Sequence, residues 1–170
     1  MNLDTLINSN AVISSSEIKS KKRALELLAE TLADNATIFN QQASIEKQSS
    51  ESINALEIFQ LLTEREKLGS TSMGHGVALP HTRTKLTEHA IGAFLKLNEG
   101  IDFDSPDKQK TDLIFALMVP EHYSDEHLKI LAYLATLFSD ENFCKEIRNT
   151  SNNKEIYNHL INWQLTSQAS

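Results

Sequence analysis

The sequence predicts an α/β fold, a mixed central β-sheet sandwiched between helices on both faces, and three observations carry that prediction. Asp112 to Val119 is almost continuously apolar, as a strand covered on both faces must be. Ile91, Ala93, Leu95 and Leu97 alternate with other residues at strand period, and apolar residues recur at helical spacing towards both ends of the chain. At 170 residues the chain can bury a core of its own. Residues 1–170 are therefore expected to form one domain, with 1–17 a loosely ordered lead and 36–52 a surface excursion.

Each element has a local reason. A first helix starts at about Ser20, a good N-cap, and carries Ala24, Leu25, Leu28 and Leu32 on one stripe. Asp34-Asn35 reads as its stop, and the stretch from Ala36 to Ser52 is polar and rich in Gln, Ser and Asn. A second helix follows, with Ile53, Leu56, Phe59 and Leu62 expected on its buried side and Arg65 near its C-terminal end. A loop from Gly69 to Gly76 leads into a short strand that runs into Pro80 and is expected to end on His81. The strand from Ile91 to Leu97 is expected to turn at Asn98-Glu99-Gly100 into a short Ile101-Asp102-Phe103 piece, forming a hairpin. After the central strand, closed by Pro120, helices are expected over Asp125–Phe138, Glu141–Arg148 and Lys154–Trp163. Their expected caps are Ser124, Asp140 and Asn152 or Asn153.

Composition narrows the function. The formal charge is −7, from 23 acidic against 16 basic residues, which argues against a general nucleic-acid binder. The cluster Lys19, Lys21, Lys22 and Arg23 reads as a solvated helix face. The single cysteine, Cys144, cannot close an internal disulfide, so a reducing cytoplasmic compartment is expected. The N-terminus lacks the basic and apolar blocks of a signal peptide, and the longest apolar run is too short to span a bilayer, so no membrane insertion is expected. Neither HExxH nor a Cys/His cluster occurs, so no metal is expected, and no cofactor.

The chemistry-bearing stretch is GHGVALPHTR, Gly74 to Arg83. Proline fixes its own φ and pushes Leu79 into extended geometry, so the direction in which His81 leaves the backbone is set in advance. An imidazole that is neutral and nucleophilic near pH 7 suits a group that is transiently modified. Taken alone, such a histidine is more often a surface or hydrogen-bonded residue. Arg65 can fork onto anionic oxygens, although an arginine in a Glu-Arg-Glu-Lys run also reads as a surface charge. Ser70, Thr71 and Gly74 have the small side chains and hydroxyls of an anion-binding concavity, and the GxxxxGK[ST] pattern of a nucleotide loop is missing. His127 falls in the first turn of the third helix, where the helix N-terminus favours anions.

The run LTEREKLGSTSMGHG, Leu62 to Gly76, followed by Ala-Leu-Pro-His, resembles the active-histidine segment of the type 2 EIIA domains of the phosphoenolpyruvate-dependent sugar phosphotransferase system. SKKRALELLAETLA, Ser20 to Ala33, resembles the first helix of that family's nitrogen-regulatory branch, and His127-Leu128-Lys129-Ile130-Leu131 is similar to the segment of its second active-site histidine. The resemblance implies a mannitol-EIIA-like layout and a cytoplasmic phosphocarrier. His81 would accept the phosphoryl group at Nε2, His127 and Arg65 would assist, and Ser70, Thr71 and Gly74 would bind phosphate. It implies an HPr-like donor, NPr in the nitrogen branch, and regulated targets such as potassium transport or sensor kinase proteins. A sugar-specific fructose- or mannitol-type EIIA handing phosphate to an EIIB domain, and a regulatory binding module without significant transfer, are the alternatives. His75 stands where the branch usually has Asn, and Thr82 replaces a small residue.

Overall fold

A computed structural model describes residues 1–43 and 53–168. Its elements in chain order are β1 (Val12–Ser15), α1 (Lys21–Ala43), α2 (Ala55–Lys67), β2 (Ser72–Gly74), β3 (Val77–Ala78), β4 (His81–Thr84), β5 (Ile91–Ile101), β6 (Thr111–Pro120), α3 (Asp125–Ser139), α4 (Glu141–Arg148) and α5 (Asn153–Gln168). The sheet runs β1-β5-β6-β3-β2, with β4 paired to β6 beyond β3 on the same side. β5 and β6 are antiparallel, whereas β1 on β5 and both β3 and β4 on β6 are parallel. The sheet is mixed, as expected.

Helices cover both of its faces, and β6 shows why the sequence demands it. Leu113, Phe115, Leu117 and Val119 alternate into a core built with α3, α4 and α5, while Ile114, Ala116 and Met118 face a second core built with α1 and α2. In the first core Phe94 stacks on Phe138 at 5.7 Å between ring centroids, and Leu134, Ile147 and Leu160 close over it. In the second, Leu25, Leu28 and Leu32 of α1 meet Ile58 and Leu62 of α2. No helix among the described residues is long and apolar enough to cross a membrane.

The caps follow their chemistry. Ser20 Oγ accepts from the Arg23 N–H at 3.2 Å, Asp140 Oδ1 from Phe143 at 3.1 Å, and Asn152 Oδ1 from Lys154 at 2.9 Å. Ser124 occupies the N-cap of α3 without a side-chain capping bond; its own N–H reaches Glu126 Oε2 instead, at 3.4 Å.

Five expectations are corrected. The lead is not loosely ordered: two 3₁₀ turns (Leu3–Thr5 and Ser9–Ala11) bury Leu3, Leu6 and Ile7, and β1 then pairs with β5. α1 does not stop at Asp34-Asn35 but continues to Ala43, so the first part of the supposed excursion is helical; its remainder, 44–52, lies outside the described residues. Leu56 is not on the buried side of α2 but 60% exposed, because the stripe runs through Ile58 and Leu62. Asn98-Glu99-Gly100 is not a turn: β5 runs through it to Ile101, and the reversal into β6 comes after Phe103. Lys21 is not a solvated charge, since its Nζ lies 2.9 Å from Glu66 Oε2 and 3.1 Å from Asp104 Oδ2.

Candidate functional site

His81 begins a strand rather than ending one. Val77–Ala78 pair with Leu113 and Ile114, and His81 to Thr84 resume pairing at Leu117 to Pro120 of the same strand. The break between them is Leu79-Pro80, where proline offers no N–H and its carbonyl accepts from Leu117 N at 2.9 Å. At this break the Leu79 carbonyl lies 2.8 Å from His81 Nδ1. A carbonyl can only accept, so Nδ1 carries the proton and Nε2 keeps its lone pair.

The His127 ring, in the first turn of α3, stands edge-on to His81 with centroids 5.4 Å apart and planes at 61°. Its Nδ1 is buried and makes no hydrogen bond. Both rings border a cleft of about 470 Å³ that Arg65, Arg83, Ser124, Asp125 and Leu128 also line. Arg65 is anchored by Nη1 donating to the Gly69 carbonyl at 2.9 Å, and Arg83 by Nη1 donating to the Tyr123 carbonyl at 3.3 Å. Burial holds the His81 pKa below 6.5, with the Arg65 charge acting the same way and the Leu79 bond and Glu66 charge opposing. Burial, then His81 and Arg83, likewise lower His127. Both imidazoles are thus neutral at pH 7.

His81, Arg65 and His127 are therefore brought together as the sequence predicts, whereas Ser70, Thr71 and Gly74 do not line the cleft. Ser70 Oγ donates to the Phe103 carbonyl at 2.7 Å and accepts from Ser72 N at 3.1 Å. Thr71 points its hydroxyl and N–H at Glu66, the N–H at 3.2 Å from Oε2. Gly74, at φ +83°, sits where a Cβ would meet Asp107 Oδ2 at 3.0 Å. The polar groups of this loop fix the turn itself, so they do not form an anion cradle. His75 lies with them, its N–H donating to Asp107 Oδ2 at 2.8 Å, and lines a different depression beside Arg148.

Arg83 was missed by sequence reasoning. The signal was available, because residues two apart on a strand share a face and β4 starts at His81. Two guanidiniums, a neutral nucleophilic nitrogen, a second imidazole and a helix N-terminus around one open cleft can receive an anionic phosphoryl group.

Comparison with known proteins agrees with this chemistry. The family described as "Phosphoenolpyruvate-dependent sugar phosphotransferase system, EIIA 2" matches residues 5–163. A nitrogen regulatory protein of Bradyrhizobium diazoefficiens is 36% identical over 160 residues, which are 94% of this chain and 95% of that protein. The crystal structure of nitrogen regulatory protein IIA-Ntr from Neisseria meningitidis superposes with a TM-score of 0.77 at 34% identity, covering 92% of this chain and 97% of that one. IIA mannitol from Escherichia coli, at 20% identity and TM-score 0.65 over 91% of this chain and 98% of that one, shares the fold. A family match that takes in both histidines and both arginines of the cleft, with relatives of nearly equal length, shows that the chain belongs to the EIIA type 2 family and is a phosphocarrier of the phosphotransferase system.

Proposed function

We propose that the protein is a nitrogen-branch phosphocarrier that accepts a phosphoryl group on Nε2 of His81 from an HPr-like protein of the NPr type. The observation that carries this reading is the 2.8 Å contact of His81 Nδ1 with the Leu79 carbonyl, which leaves Nε2 as the free nucleophile in a cleft rimmed by Arg65 and Arg83. Nε2 attacks phosphorus in line with the donor's P–N bond; that bond breaks and its electron pair returns to the donor nitrogen. The proton on Nδ1 stays in place, and the positive charge of the phosphorylated ring is met by the Leu79 carbonyl. Arg65 and Arg83 neutralise the equatorial oxygens, and His127 offers a ring N–H from the first turn of α3. The phosphorylation state then sets which targets bind, potassium transport or sensor kinase proteins being the expected class.

The test is to incubate the protein with phosphoenolpyruvate, the first enzyme of the relay and an HPr-type carrier. The expected product is an acid-labile species heavier by about 80 Da, one phosphoryl group. His81→Ala should stay folded and gain no mass. Full phosphorylation of that variant overturns the reading.

A further inference from the structure

We infer that Glu66 is a positioning residue for His81: its buried carboxylate, through Thr71 and Leu79, holds the carbonyl that keeps the proton on Nδ1 and thereby selects Nε2 as the nucleophile. This rests on the reading of His81 as phosphoacceptor.

The linkage is continuous. Glu66, in the last turn of α2, is 8% exposed and takes both donors of Thr71, the N–H at 3.2 Å and the hydroxyl. The Thr71 carbonyl accepts the Leu79 N–H at 3.1 Å, and the Leu79 carbonyl accepts His81 Nδ1–H at 2.8 Å. On the other side, Pro80 is fixed by its ring and by Leu117 N. The Leu79 carbonyl is therefore clamped from before and behind, and its aim depends on the loop that Glu66 anchors.

The site needs an acceptor-only group at position 66. Thr71 presents two donors, and Lys21 Nζ presents a third at 2.9 Å. A carboxylate accepts all three, whereas an amide would turn a donor towards one of them. Lys21 also keeps the buried charge paired, and is itself held by Asp104 at 3.1 Å and lies 4.6 Å from the centre of the Phe103 ring. Arg65, the neighbouring residue, ties the other end of the loop through the Gly69 carbonyl. One helical turn thus supplies a cleft guanidinium and, one residue on, the brace for the nucleophile.

The experiment reads the tautomer directly. The full chain, unphosphorylated and labelled with ¹⁵N in its histidines, is examined by NMR at neutral pH, where the ring-nitrogen shifts of His81 distinguish the protonated from the lone-pair nitrogen. The Nδ1–H form should dominate in the native protein. Glu66→Ala should shift the population towards Nε2–H and slow phosphoryl acceptance about ten-fold, with Glu66→Gln giving a smaller shift in the same direction. Thr71→Ser, which retains both donors, should behave as the native protein. A wild-type tautomer ratio in both Glu66 variants overturns the proposal, whatever happens to their melting temperatures. Failure of the native protein to take phosphate on His81 would sink the phosphocarrier reading while leaving the tautomer result to stand or fall by itself.

Discussion

Replacing Asn35 with Ala should destabilise the fold far more than its place on a helix surface pattern suggests. Asn35 is 2% exposed, and its Nδ2 donates to the Leu6 carbonyl at 3.0 Å and the Gly92 carbonyl at 2.9 Å while Oδ1 accepts from Asn8 Nδ2 at 2.7 Å. One amide therefore ties α1 to the N-terminal turns and to β5. The Leu6 carbonyl keeps a second partner, Gly92 N at 2.9 Å, whereas the Leu117 N–H opposite Gly92 is turned to Pro80. Truncation removes three hydrogen bonds at about 1 kcal/mol each and leaves a buried carbonyl unpaired, for a total loss of about 3–5 kcal/mol. In a chain of this size each kcal/mol moves the melting temperature by about 2–4 °C, so a fall of about 6–20 °C is expected. Asn35→Asp should do at least as much harm, because an acceptor-only group would face two carbonyl oxygens. Thermal unfolding followed by circular dichroism is sufficient. An Asn35→Ala protein that melts within about 2 °C of the native chain would refute the reasoning.

Three further outcomes are expected. Arg65→Lys should keep the fold but slow phosphoryl acceptance by about 10–100-fold, since a point charge cannot fork onto two oxygens and also reach the Gly69 carbonyl; a native rate would remove Arg65 from the mechanism. His81 and His127 titrate below 6.5 when folded, so between those values and 6.5 the unfolded chain binds more protons. Stability should accordingly be full above pH 6.5 and fall as the pH drops through it, levelling off below the folded values. Urea midpoints measured across that window should lose this slope when both histidines become Gln, and an unchanged slope would contradict the assignment. Gly76→Ala should cost about 2 kcal/mol in chemical denaturation, because φ is +82° and a Cβ would sit 2.6 Å from Arg148 Nη2 and 2.8 Å from Asp112 Oδ1. A native denaturation midpoint would show that the Arg148–Asp112 pair yields without loss.

What was legible in the sequence was whatever depends on near neighbours. β6 announced itself as a continuous apolar run, and Asp140 and Asn152 cap the helices that follow them because capping is decided within three residues. What stayed hidden depends on contacts far along the chain. Asn35 resembles a helix stop, but its partners are 27, 29 and 57 residues away, so its amide joins elements instead of ending one. Gly100 resembles a turn glycine, yet it lies within β5 where a Cβ would meet Lys110 Cβ at 2.8 Å; close approach, not chain reversal, requires it. The site divides in the same way. His81, Arg65 and His127 stand among recognisable neighbours, while the loop hydroxyls are turned away from the cleft by partners the local pattern does not announce, Glu66 for Thr71 and the Phe103 carbonyl for Ser70. Arg83 was passed over because the strand was expected to stop two residues earlier.

The early pairing of β1 with β5 has a practical outcome for handling the protein. Were the first fifteen residues removed by a protease or a shortened reading frame, β5 would become a bare edge, and its seven consecutive buried residues from Ile91 to Leu97 would present open backbone groups beside uncovered apolar side chains. Such a border recruits other strands, so precipitation, and not just a lower melting point, is the fate of a chain clipped there.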